Sequence, residues 1–241
     1  VSDADPRMNS ALGEVMAGRE ITRKILSGLA VAYFRPRITG TAHIPKSGPF
    51  VVAANHLSFS DHIFLSVFVP RPVYFVGKAE RLGRKGLRGR VSSWFFEQVG
   101  MIPVRRDGGR GGVAALETSR ELLVQGVGVG IHPEGTRSPD GRLYRGQTGA
   151  AWLSLTTGAP VVPCGLVGTD RVQRPGRLLL KRTTFEVHFG EPLTPGEYAG
   201  REKQSFSRRQ YTDRIMREIG ALSGQELAPG FAVKGAALAA K

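Results

Sequence analysis

The sequence predicts an α/β domain with a mixed, largely parallel central sheet flanked by helices. Three observations lead there. Short apolar runs rich in valine recur along the chain, and between them lie segments whose apolar residues follow helical spacing. Glycine and proline punctuate the junctions. Strands that alternate with helices build a parallel sheet, because each crossover helix returns the chain to the same end of the sheet.

Taken in order, residues 10–34 carry Leu12, Val15, Met16, Ile21, Ile25, Leu26 and Leu29 at approximately helical spacing, with Arg19, Arg23 and Lys24 among them. This predicts a basic amphipathic helix, which either lies in a membrane interface or covers the core with a solvated basic face. Pro36 ends it by disfavouring helix at Arg35. Residues 50–54 (FVVAA) read as a buried strand, 60–69 as a helix, 72–76 (PVYFV) as a strand and 91–99 (VSSWFFEQV) as a helix. A short strand at 101–104 precedes a helix at 111–125 that ends at Gly126. Next come a strand at 127–131 (VGVGI), a helix at 147–157, strands at 160–166 and 183–189, and a charged helix at 204–220. The units expected are an amphipathic segment over 1–36, a main domain over 37–222, and a flexible Ala- and Gly-rich tail over 223–241.

Composition narrows the partners. Lys and Arg number 34 against 20 Asp and Glu, a net charge of +14 over 241 residues. Such a balance favours an anionic partner: nucleic acid, an anionic membrane surface or a phosphorylated small molecule. Cys164 is the single cysteine, which excludes an internal disulfide framework and a Cys-rich metal site. No apolar run approaches the roughly 18 residues that span a bilayer, and no signal-peptide pattern opens the chain. The chain begins at Val1, so an anchoring segment ahead of it stays open.

Chemistry concentrates in two stretches. The first, Asn55-His56-Leu57-Ser58-Phe59-Ser60-Asp61, follows the FVVAA strand. On a regular helix, His56 and Asp61 would point roughly 140° apart. Ser58-x-x-Asp61 is, however, a helix-start pattern, so His56 precedes the helix, where the chain is free to turn back. The carboxylate would then fix the imidazole's tautomer and make it a general base. The alternative leaves Asp61 as a helix-dipole partner and His56 as a loop residue. The second stretch, His132-Pro133-Glu134-Gly135-Thr136-Arg137-Ser138, follows the VGVGI strand, where α/β sheets gather ligand sites. Gly135 allows close backbone approach, Thr136 and Ser138 offer hydroxyls, and Arg137 offers a planar fork suited to phosphate. The alternative is an ordinary turn with a surface arginine, which fits any one of these residues but fits less well five polar or special residues packed after a buried strand.

These stretches resemble a family. NHLSFSD is similar to the N-H-x-x-x-x-D block of the glycerolipid acyltransferases. GMIPVRR resembles their second block, HPEGTRS their third with His132 in place of the usual aromatic, and VVPCGL their fourth, all in the family's order across 55–166. The resemblance implies a glycerol-3-phosphate acyltransferase-like fold. It implies catalysis by His56 oriented by Asp61, without a covalent acyl-enzyme. It also implies that Lys78, Arg105, Glu134, Gly135, Thr136 and Arg137 hold the acceptor's phosphorylated head, with Glu134 orienting an arginine or binding a hydroxyl. The expected reaction moves a fatty acyl chain from acyl-CoA or acyl carrier protein to lysophosphatidic acid. No cofactor or metal is expected beyond acyl-CoA as co-substrate. The expected place is the cytoplasmic face of the cell membrane, peripheral or monotopic, with residues 81–90 and the first helix toward the anionic surface. Acylation of another lysolipid or a lipid-linked sugar, or phospholipid binding without catalysis, are the alternatives.

Other classes fit less well. Aromatics are not interleaved with the basic clusters, which argues against nucleic acid. Gly126-x-Gly128-x-Gly130 lies before and within a strand, whereas a dinucleotide fingerprint needs its glycines between strand and helix. No G-x-S-x-G elbow occurs.

Overall fold

The structure is a computed structural model and describes residues 6–78, 87–104, 111–173 and 180–233. Its elements are α1 (Pro6–Phe34), β1 (Arg37–Thr39), β2 (Phe50–Ala54), α2 (Asp61–Phe68), β3 (Val73–Lys78), α3 (Leu87–Gln98) and β4 (Met101–Val104). There follow α4 (Gly111–Val124), β5 (Gly128–Ile131), α5 (Gly149–Thr157), β6 (Val161–Val167), α6 (Thr169–Val172), β7 (Glu186–Phe189) and α7 (Ser205–Ser223). Among the described residues the strands form one sheet in the order β1-β7-β6-β2-β5-β3-β4. Pairing is parallel throughout except between β6 and β7, so the sheet is mixed and largely parallel.

β2 lies at the centre because both of its faces are apolar. Alternate side chains of a strand point to opposite faces. Phe50, Val52 and Ala54 therefore join one core with Phe64 and Leu65 of α2 and Phe34 of α1. Val51 and Ala53 join the other, with Leu123 of α4, Leu153 of α5, and Tyr211 and Ile215 of α7. The result is a three-layer sandwich. β5, which pairs with β2, must accept two rings on the first face. A methyl on Gly128 would stand 2.5 Å from the Phe50 ring, and one on Gly130 would stand 2.1 Å from the Phe75 ring. The glycines of VGVGI are there to admit aromatic rings.

Several segments differ from expectation. β1 and α6 are too short, at three and four residues, to leave a periodic signal. α1 begins at Pro6 and α3 at Leu87, both earlier than the spacing indicated. Within α1, Arg23 turns inward rather than into solvent: its guanidinium donates to Val69 O at 2.6 Å and Pro70 O at 3.2 Å, and pairs with Glu20 at 2.6 Å. It thereby meets carbonyls left unpaired at the end of α2. Leu26 and Ala30 pack beside it against the core, while Ile21, Ile25 and Leu29 face outward. Among the described residues no helix is long and apolar enough to cross a membrane. The flexible extension expected from 223 does not begin there. Leu143 N donates to Glu226 O, Ala228 N to Leu143 O and Arg145 N to Gly230 O, at 2.8–2.9 Å. Residues 234–241 lie outside the described residues.

Gly130→Ala should force the Phe75 ring aside and lower stability by about 1–3 kcal/mol. Gly112→Ala, in α4 where an added methyl meets nothing within 4 Å, should leave stability unchanged or slightly raised. Denaturant unfolding of both variants measures the contrast.

Candidate active site

β2 and β5 are neighbours and parallel, so the loops after their carboxyl ends, one carrying His56 and the other 132–138, emerge side by side. β3 pairs with β5 on its far side and β4 pairs with β3. Lys78, opposite Val104 in the register, therefore ends at the same edge of the sheet. The Lys78 side chain and the whole of Arg105 lie outside the described residues.

At the end of β2 the buried Asn55 side chain imitates a strand. Its Oδ1 accepts from Leu166 N at 2.7 Å, and its Nδ2 donates to Leu166 O at 2.8 Å. The chain then bends so that α2 can start at Asp61. The Asp61 carboxylate is fully buried, and its Oδ2 accepts from Leu57 N and Ser58 N, each at 2.7 Å, and from His56 Nδ1 at 2.9 Å. The bond back to the Ser58 amide ties the first residue of α2 to the bend just ahead of its cap, Ser60. Ser58 Oγ supports the bend through Ser60 N at 3.3 Å and the Gln173 carbonyl at 3.2 Å. The five-residue offset thus brings His56 and Asp61 together through a corner. Burial pushes the Asp61 carboxyl up, but the hydrogen bond and charge of His56, with the Ser58 amide, outweigh it and hold the pKa below the usual value. An ionised carboxylate only accepts, so Nδ1 of His56 carries a hydrogen, and in the neutral tautomer that this fixes, Nε2 is the nitrogen with the lone pair. The His56 side chain is 18% exposed.

The second loop grips the main chain of the first. Ser138 N donates to His56 O at 2.7 Å, and His56 N donates to Glu134 Oε2 at 3.4 Å. Glu134 Oε1 takes the Tyr144 amide at 3.2 Å. Both oxygens of this buried carboxylate accept from backbone amides, and among the described residues no arginine pairs with it. Burial pushes its pKa up to about 7 against the pull of those two amides. His132 lies flat on His56, with ring centroids 4.1 Å apart and 9° between planes. Its Nδ1 faces the carbonyls of Ala54 and Asn55, both at 3.0 Å, and so carries the hydrogen. Burial, with the neighbouring His56, lowers its pKa to about 3, so the ring stays neutral. Phe75 also stacks on His132, with centroids 5.6 Å apart. His132 keeps the stacking an aromatic would provide and adds hydrogen bonds to the end of β2.

Gly135 sits at the exposed turn of this loop with a φ of 72°, a left-handed conformation that glycine adopts without strain. Thr136 and Arg137 are half-buried beside it. Arg137 has no carboxylate partner among the described residues, which leaves its guanidinium available to an anion. Among the described residues no cluster of His, Cys, Asp or Glu could hold a metal. Sequence reasoning missed two contributors, Asn55 and the stacked ring of His132. The signal for the first was an asparagine standing exactly where an apolar run stops. Chemically, the site joins a carboxylate-oriented imidazole with a free nitrogen to a loop suited to a phosphorylated ligand.

Comparison with known proteins agrees in extent. A family model described as Acyltransferase matches residues 35–167, which run from β1 to the end of β6. A chloroplastic 1-acyl-sn-glycerol-3-phosphate acyltransferase of Brassica napus is 33% identical over 145 residues, covering 60% of this chain and 40% of that protein. A 1-acyl-sn-glycerol-3-phosphate acyltransferase of Bacillus subtilis is 29% identical over 165 residues, covering 68% of this chain and 76% of that one. The crystal structure of the 1-acyl-sn-glycerophosphate acyltransferase PlsC of Thermotoga maritima superposes with a TM-score of 0.64 at 26% identity. That match covers 84% of this chain and 79% of the other. The chain spans about two fifths of the length of the chloroplast relatives it matches.

Glu134 supplies a pH test. Its folded pKa of about 7 stands above the ordinary 4.5, so the folded chain holds this proton more tightly than the unfolded chain does. The resulting stabilisation is fully present below about pH 4.5 and is lost as pH rises through about 7. Relative to Glu134→Gln, which cannot ionise, the wild type should lose on the order of 2–3 kcal/mol across that window. Denaturation midpoints of the two proteins from pH 4.5 to 8 give the comparison.

Proposed function

The chain belongs to the acyltransferase family, and from that premise we propose that it moves a fatty acyl group from an acyl thioester to the free hydroxyl of 1-acylglycerol-3-phosphate. The product would be phosphatidic acid, for phospholipid synthesis. The observation that carries this reading is the contact between His56 Nδ1 and Asp61 Oδ2 at 2.9 Å, which leaves Nε2 free as the base. Nε2 takes the proton of the acceptor hydroxyl while that oxygen attacks the thioester carbonyl. The carbon–sulfur bond then breaks, and the departing thiolate recovers the proton from His56. Asp61 stabilises the imidazolium in between, and no acyl group is held on the protein. A positioned base of this kind contributes about 10²–10⁴-fold. A phospholipid-binding protein would have no use for this imidazole and its buried carboxylate.

The acceptor's phosphate is assigned to the loop after β5, with Arg137 as its cation, Thr136 and Gly135 beside it, and Lys78 and Arg105 as the further cations that the family resemblance implies. Lysophosphatidic acid is preferred over other lysolipids because the similar proteins are named for it. Acyl-CoA is the proposed donor, with acyl carrier protein the other thioester of the same chemistry, and no cofactor takes part. The substrates and product are lipids, the net charge is +14, and Ile21, Ile25 and Leu29 project from α1 beside an exposed Lys24. These features support peripheral or monotopic association with the anionic cytoplasmic face of the cell membrane.

Replacing His56 with Ala should lower transfer from a long-chain acyl-CoA to lysophosphatidic acid by about 10²-fold or more. Activity within a few-fold of wild type would sink the assignment of the base. Arg137→Ala should raise the KM for the acceptor about tenfold with kcat little changed, the pattern of lost ground-state binding. If the wild type binds lysophosphatidic acid but transfers nothing to it from either thioester, binding without catalysis becomes the better account.

A further inference from the structure

Gly224 closes α7 with a φ of 65°, and the chain then runs back along the loop that follows HPEGTRS. The main-chain bonds of Glu226, Ala228 and Gly230 to Leu143 and Arg145 fix that course, and the Arg145 guanidinium stands 5.4 Å over the Phe231 ring. This delivers Gln225 to the end of β2. Its Oε1 accepts from Asn55 Nδ2 at 2.7 Å, and its Nε2 donates to Gly141 O at 2.6 Å.

These bonds complete a closed circuit around His56. The His56 carbonyl accepts from Ser138 N at 2.7 Å. Ser138 Oγ accepts from Gly141 N at 3.0 Å and donates to Arg142 O at 2.8 Å. The Gly141 carbonyl is held by Gln225, Gln225 holds Asn55, and Asn55 is bonded through the chain to His56. Asn55 is fully buried and has two amide hydrogens, one for Leu166 O and one for Gln225 Oε1. Without Gln225 the second hydrogen loses its partner, and a buried donor left unpaired is costly enough to shift the group that bears it. Asn55 cannot move without carrying His56, and a displacement of about 1 Å at a reacting group can cost about 10²-fold in rate.

We propose that Gln225 is a positioning residue for His56, so that the support of the active site reaches beyond the family match over 35–167. The effect on rate rests on the acyl-transfer reading, whereas the effect on the geometry of His56 does not.

The test uses the full chain carrying Gln225→Ala, Gln225→Glu or, as a control, Leu227→Ala, whose side chain is exposed on the same segment. With palmitoyl-CoA and lysophosphatidic acid, Gln225→Ala should lower kcat about tenfold while both KM values stay within about twofold. Gln225→Glu, which still accepts from Asn55 but cannot donate to the Gly141 carbonyl, should fall between Gln225→Ala and wild type, and Leu227→Ala should match wild type. In parallel, amide exchange should show Ser138, the donor to His56 O, exchanging about tenfold faster in Gln225→Ala, with the amides of β2, β5 and β6 unchanged. Unchanged kcat with unchanged Ser138 exchange would overturn the proposal. So would exchange that rises uniformly through the sheet together with a fall in thermal midpoint matching the loss of activity, which is the mark of a structural role alone. If the wild type itself fails to transfer to lysophosphatidic acid, the functional reading falls. The exchange at Ser138 then decides the positioning proposal by itself.

Discussion

A carboxylate with no exposure to water must have its charge met inside the fold, and Asp61 meets it with three donors on one oxygen. Two of the three are main-chain amides, so the price of burying this group sets the path of the backbone from Asn55 to Ser58. That path is a tight corner, and the corner puts the third donor, the His56 imidazole, against the same oxygen. Asp61 also stands in the first turn of α2, where the helix dipole favours negative charge. Loss of the carboxylate would therefore release the bend, the helix entrance and the imidazole together.

The rest of the site is arranged around this corner by the sheet. Neighbouring parallel strands end at the same edge, so a loop that grips His56 through Glu134 and Ser138 needs only to follow the strand next to β2. Packing beneath it is equally ordered. Gly130 admits Phe75, Phe75 supports His132, and His132 lies against His56. A neutral ring in that stack adds no second positive charge beside an imidazole that must take up a proton. The low pKa of His132 keeps it so.

Local features were legible in the sequence, and distant ones were not. FVVAA announced a strand buried on both faces because it is apolar without a break. S-x-x-D announced a helix start, and with it the chance that His56 and Asp61 meet. β1 and α6 span too few residues for a period to show. Arg23 looked like part of a solvated face because its partners, the carbonyls at the end of α2, are more than forty residues away. The resemblance gave Glu134 an arginine or a hydroxyl, and it was silent on the two amides, of His56 and Tyr144, that folding brings to the carboxylate. The same blindness made SGQELAPG look loose: its Gly and Ala content is that of a flexible tail, yet its amides and carbonyls pair with residues eighty positions earlier.

Nearly every support of His56 lands on the main chain: the amides of Leu57, Ser58 and Tyr144, the carbonyls of Ala54, Asn55 and Gly141, and both groups of Leu166. Peptide groups are the same whatever side chain they bear. The partners at those positions are thus free to drift in sequence so long as the backbone keeps its course, whereas the side chains that reach toward them are not. Divergence among proteins built this way should leave a sparse pattern, a few invariant polar residues each facing a neighbour whose identity wanders.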